Sequence, residues 1–96
     1  MAIQHIVLVK FNDACGASIV AELSQAFGAL PSCIPGITSF EAGENVSHEG
    51  LGHGFTHAFV MTFVDMAARD AYLPHERHLE FMEHLKPCLA DVLVID

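Results

Sequence analysis

Hydrophobic and polar positions alternate over residues 3–11. Ile3, His5, Val7, Val9 and Phe11 fall on one face, and Gln4, Ile6, Leu8 and Lys10 on the other. A period of two with this β-branched content predicts a strand. Residues 12–16 read as a turn. Over residues 18–30 the period lengthens, and Ile19, Val20, Leu23, Ala26, Phe27 and Leu30 form a helical stripe. Pro31 and the Pro35-Gly36 pair stop that helix and begin a turn. Residues 37–46 predict a second strand, weakened by Gly43. The glycine-rich run 50–54 leads to a third strand over 55–63. Asp65 suits the N-cap of a short helix ending before Pro74, residues 75–85 predict a further helix limited by Pro87, and Val92 to Ile95 form the last strand. The order β-α-β-β-α-β, with the second helix broken at Pro74, predicts an α+β, ferredoxin-like four-stranded antiparallel sheet with helices on one face.

Such a sheet, in a monomer, should carry polar residues on its uncovered side. Here Ile6, Leu8, Phe40, Ala58 and Val60 are expected there instead, a patch that calls for a partner. Sheet-on-sheet packing of two identical chains, a homodimeric α/β barrel, satisfies it.

The 96 residues suffice for a single domain, 1–96. Four Lys and Arg against 12 Asp and Glu leave a net charge of −8, which argues against nucleic acid and anionic membrane surfaces as partners. No apolar run approaches the length of a membrane span, and the N-terminal residues lack the pattern of a signal peptide, so the chain is expected to be cytoplasmic. Cys15, Cys33 and Cys88 lack C-x-x-C spacing and are expected to be reduced, small hydrophobes.

Candidate chemistry rests on the histidines, of which there are seven. His5 shares a face with Val7 and Val9, and His57 with Phe59, Met61 and Phe63. His78 lies on the helical stripe of Phe81, Met82 and Leu85, with Tyr72 near it in the chain. Imidazoles aimed into apolar surroundings are either hydrogen-bonded core residues or proton donors and acceptors in a cleft, and the residue pattern leaves both open. His75-x-x-His78 could chelate zinc, but no third ligand accompanies it, so neither a metal nor a cofactor is expected. Gly50, Gly52 and Gly54 join two strands, whereas a dinucleotide fingerprint must open a helix.

The segments His5 to Phe11, Ile34-Pro35-Gly36-Ile37, Gly54-Phe55-Thr56-His57, Tyr72-Leu73-Pro74-His75-Glu76-Arg77-His78 with Phe81, and Asp91 to Asp96 resemble the stress-responsive A/B barrel (Dabb) family across essentially the whole chain. The resemblance implies a ferredoxin-like fold that dimerises into a barrel. One plant member is a cyclase that closes a linear polyketide by aldol chemistry with no metal or organic cofactor. Its histidine base and tyrosine partner correspond to His78 and Tyr72. Its pocket wall corresponds to His5, Val7, Val9, Leu23, Phe27, His57 and Phe59, with departures from the cyclase at Leu23, His84 and Leu89. The expectation is a pocket for a small apolar, aromatic or polyketide-like molecule with cofactor-independent, cyclase-like catalysis. The alternative is a non-catalytic, stress-associated structural or binding protein. An oxygenase or haem-binding barrel shares the superfold, but no axial-ligand signature marks one here.

Overall fold

The computed structural model describes residues 1–96. In chain order the elements are β1 (Ile3–Phe11), α1 (Ala17–Ala29), β2 (Ile37–Glu44), β3 (His57–Phe63), α2 (Met66–Tyr72), α3 (Glu76–Leu85) and β4 (Leu89–Ile95). Single 3-10 turns stand at Leu30–Ser32 and Lys86–Cys88. The sheet is antiparallel throughout, in the order β2-β3-β1-β4. The ferredoxin-like architecture is as the periodicity predicts. The edges shift: β2 stops at Glu44, β3 starts at His57, and β4 begins at Leu89 because it continues to pair with β1 down to Phe11.

Local chemistry fixes the joints. The Asp65 carboxylate accepts the Ala68 amide at 2.8 Å and caps α2. His75 Nδ1 accepts the Arg77 amide at 3.1 Å and caps α3, so this ring serves the backbone. Gly36 turns the chain into β2 with φ of 91°, and a Cβ there would lie 2.6 Å from that of Ala68.

The core lies between the sheet and the helices. Val9, Met61, Phe63 and Tyr72 are its most completely buried side chains. Phe27 of α1 occupies its centre, stacking on Phe59 at 4.8 Å and touching Phe81 at 4.8 Å and Phe40 at 5.3 Å between ring centroids.

Phe40 is a correction, because it was expected on the uncovered face. A register shift between Ile37 and Ser39 adds a residue to β2, and Phe40 then pairs with Met61 and points toward the helices with Ile37. Plain alternation from Ile37 would have turned it outward.

The uncovered face remains apolar across β4, β1 and β3, with Glu41 of β2 beside Val60 at its margin. Ile95, Ile6 and Val60 pair in one row across β4, β1 and β3, and Leu93, Leu8 and Ala58 in the next. Leu93 and Ile95 stand 41% and 55% exposed.

A second correction concerns sulfur. Cys15 and Cys88 form a disulfide across 73 residues, with Cα atoms 5.6 Å apart. The expectation of reduced thiols holds only for Cys33. The pairing is tertiary, so no local spacing marks it. The Asn12 side chain donates to the Pro87 carbonyl and its amide to the Cys88 carbonyl, both at 2.8 Å, stitching the β1–α1 loop to the turn before β4.

Candidate functional site

Tyr72 closes α2, and the Leu73-Pro74 break turns the chain so that His78, in the first turn of α3, returns beside it. The two rings lie 4.2 Å apart between centroids. His5, on β1 beneath them, meets Tyr72 edge-on at 5.7 Å. These three residues line one cavity of about 190 Å³, with Val7, Phe27 and Phe81 among its apolar walls.

Two hydrogen bonds set the imidazoles. His78 Nδ1 lies 2.9 Å from the Leu73 carbonyl. A carbonyl only accepts, so Nδ1 carries the proton and Nε2 is the basic nitrogen. Desolvation lowers the His78 pKa and the Leu73 carbonyl raises it, while His5 and His75 lower it again; the net shift is downward from 6.5. The ring is therefore neutral at physiological pH. Burial pushes the Tyr72 phenol well above its ordinary range, so it keeps its proton.

His5 Nδ1 donates to the Asp96 carboxylate, whose other oxygen accepts from Arg69 Nη1 at 2.5 Å. Burial pushes the Asp96 carboxyl up, but the hydrogen bonds from His5 and Arg69 outweigh it and hold the group below the usual carboxylate range. Arg69 also donates to Asp70 at 2.8 Å. Asp96 and Arg69 were not among the residues singled out from the sequence. The signal was present in the alternation of Val92, Val94 and Asp96, which places the carboxylate on the His5 side of the sheet.

The wall residues expected from resemblance divide among several places. His5, Val7 and Phe27 line the Tyr72–His78 cavity. His57 and Phe59 line a second hollow, and Leu23 a third between α1 and α3. Val9 is sealed inside the core. His57 pairs with Val9, four residues along β1 from His5, which puts it ~13 Å from that site. Its Nδ1 lies 2.8 Å from Thr56 Oγ1, and its ring packs edge-on against Phe11 at 5.0 Å. The expected convergence of three histidines is thus a pair, His5 and His78, with Tyr72. Val92, Val94, Met82 and Leu85 line that cavity too and were not anticipated.

The model of the stress-responsive A/B barrel domain matches residues 3–96. The chain belongs to the Dabb family. Among curated relatives, a stress-response A/B barrel domain-containing protein of Arabidopsis thaliana is 34% identical over 94 residues, 98% of this chain and 86% of the relative. Olivetolic acid cyclase of Cannabis sativa is 24% identical over 96 residues, 100% of this chain and 95% of the cyclase. Among solved structures, At3g17210 of Arabidopsis thaliana superposes with a TM-score of 0.93 at 34% identity, covering 97% of this chain and 90% of that one. A dimeric ferredoxin-like protein from Thermobifida fusca gives 0.83 at 25% identity, covering 99% and 88%. A hydroxynitrile lyase from Passiflora edulis shares the fold, with a TM-score of 0.92 at 22% identity over 98% of this chain and 89% of the lyase. Within the Dabb domain of this chain, the helix side of the sheet is the one that gathers titratable groups into a cavity.

Proposed function

We propose that this Dabb protein is a homodimer in which each protomer holds a small aromatic or polyketide-like molecule in the Tyr72–His78 cavity. There it performs acid/base, cyclase-like chemistry that needs no cofactor. His78 Nε2 removes a proton from a carbon next to a carbonyl. The un-ionised Tyr72 hydroxyl donates to the oxygen on which negative charge develops. His5, oriented by Asp96 and Arg69, forms the polar part of the wall. The observation that carries this reading is the fixed tautomer of His78, whose basic nitrogen belongs to a ring in contact with a protonated phenol on an apolar cavity.

Olivetolic acid cyclase and the hydroxynitrile lyase support an enzymatic reading, and the dimeric Thermobifida fusca relative supports the homodimer. We read its place of work as the cytoplasm. The Cys15–Cys88 bond would there face reducing thiols, and its state after alkylation in whole cells tests that placement.

One observation favours the non-catalytic, stress-associated alternative. At about 190 Å³ the cavity falls below the ~300–1,000 Å³ usual for ligand pockets. The test is hydrogen–deuterium exchange at the activated carbon of aryl β-diketones in D₂O. Catalysed exchange that drops ~10²–10⁴-fold in His78→Ala supports the base. Exchange indifferent to both His78→Ala and Tyr72→Phe overturns it.

A further inference from the structure

Besides the hollow between α1 and α3, two hollows stand directly over the strands on the helix side of the sheet. The Tyr72–His78 cavity stands over the β1–β4 half, floored by His5, Val7, Val92 and Val94. The second, about 490 Å³, stands over the β2–β3 half, lined by Ala42, Glu44, His57 and Phe59 from the sheet and Val20 and Ser24 from α1. Between them stands an aromatic wall. Phe27 lines the first hollow and Phe59 the second, and the two rings stack with planes 28° apart. Both side chains are almost wholly buried. Phe81 and Phe40 brace Phe27, and Phe40 also packs on Phe59 at 6.2 Å. A wall buttressed in this way has little room to swing aside, because protein interiors are close-packed.

Volume then limits the ligand. An apolar cavity of ~150 Å³ takes benzene. About 190 Å³ therefore takes one ring and a short substituent, and a longer chain either stays in solvent or is buried only by passing the Phe27–Phe59 wall into the second hollow or the buried Phe81 ring toward the hollow between α1 and α3. We infer that the Phe27–Phe59 stack is a partition that restricts the ligand of the Tyr72–His78 cavity to a single ring without an extended alkyl tail. This rests on the pocket proposed above and narrows its substrate class to compact monocyclic phenols and aryl ketones.

The experiment compares 4-methylphenol with 4-pentylphenol by calorimetric titration, while NMR follows the His78 ring resonances. Each buried methylene tightens binding about fourfold. The parent protein should bind 4-methylphenol with a shift at His78 and gain no more than about twofold from the pentyl tail. Phe27→Ala joins the hollows and should bind 4-pentylphenol at least ~10-fold more tightly than 4-methylphenol. Phe27→Leu and Phe59→Leu thin the wall from either side and should move the same ratio in the same direction should the alanine variant fail to fold. A parent protein that already prefers 4-pentylphenol ~10-fold, or leucine variants that leave the ratio unmoved, overturns the partition while His78 still reports a ligand. Absence of binding by either phenol to parent and variants, with His78 silent, overturns the pocket itself and the partition with it.

Discussion

On one side of β1, His5, Val7 and Val9 face the helices; one residue out of step, Ile6 and Leu8 face the other way. The helix side gathers aromatic rings and imidazoles, and each imidazole there has a fixed partner: Asp96 for His5, the Leu73 carbonyl for His78 and Thr56 for His57. The middle of the uncovered side is hydrocarbon across three strands, and charge enters at its margins, at Glu41 of β2 beside Val60 and where Lys10 pairs with Asp91. Directional groups demand particular neighbours, so the helix side is committed to one arrangement and retains a cavity. A flat aliphatic patch demands only that water be removed, which a second copy of the same patch satisfies. In the function proposed above, the chemistry and the association are therefore separated by a single residue of strand phase.

The strongest way to break this division is to charge the uncovered side. The parent protein should scatter light as about twice 10.4 kDa at micromolar concentration. Leu8→Lys would bury an unpaired ammonium between sheets at a cost of ~3–5 kcal/mol, and should give monomers or unfolded chain. A parent protein that is monomeric at that concentration removes the reason for the patch. A smaller effect should follow from releasing the strap that holds β4, the strand shared by both faces. Cys15→Ser frees a closure spanning 73 residues, and denaturant unfolding should show a loss of ~2–4 kcal/mol. An unchanged midpoint would mean that the hydrogen bonds of Asn12 already hold this joint.

How much of this was legible beforehand follows the range of the interactions. β1 and β3 were readable because strict alternation and β-branched side chains are local signals, and α3 because Phe81, Met82 and Leu85 repeat at helical spacing. Phe40 misled because its facing depends on a bulge whose cause lies in pairing with β3. Cys15 and Cys88 misled because their meeting is set by how the β1–α1 loop packs on the end of the chain. At the site, Tyr72 and His78 came from a compact motif on consecutive helices, and the structure places their rings in contact. Alternation put His57 on the correct face, but alternation has no reading of distance along a strand. The family resemblance implied one pocket wall holding both His5 and His57, and the Phe27–Phe59 stack stands between them. Asp96 escaped notice because one carboxylate at a strand end acquires meaning only from the register that sets it opposite His5.

The smallest expected effect sharpens the helix side alone. Burial holds the His78 pKa below 6.5, so the folded chain takes up that proton less readily than the unfolded chain. Stability rises with pH wherever the unfolded state binds more protons. The contribution of neutral His78 is thus complete above pH ~6.5 and is lost as the pH falls from there through the lower folded value. Asp96, whose pKa is also lowered, contributes in a different window: its share is complete above the ordinary carboxylate value and is lost only at more acidic pH. The two are separable. Denaturant midpoints of the parent protein should decline between pH 7 and 5, and His78→Gln should flatten that decline while leaving the more acidic one in place. The hydrogen bond to Leu73 lost in His78→Ala is worth ~1 kcal/mol at pH 7, which sets the size of effect expected for a cavity residue that water can replace. A loss above ~2 kcal/mol would mark His78 as a packed core residue instead, since that is the range of a void with a stranded polar partner.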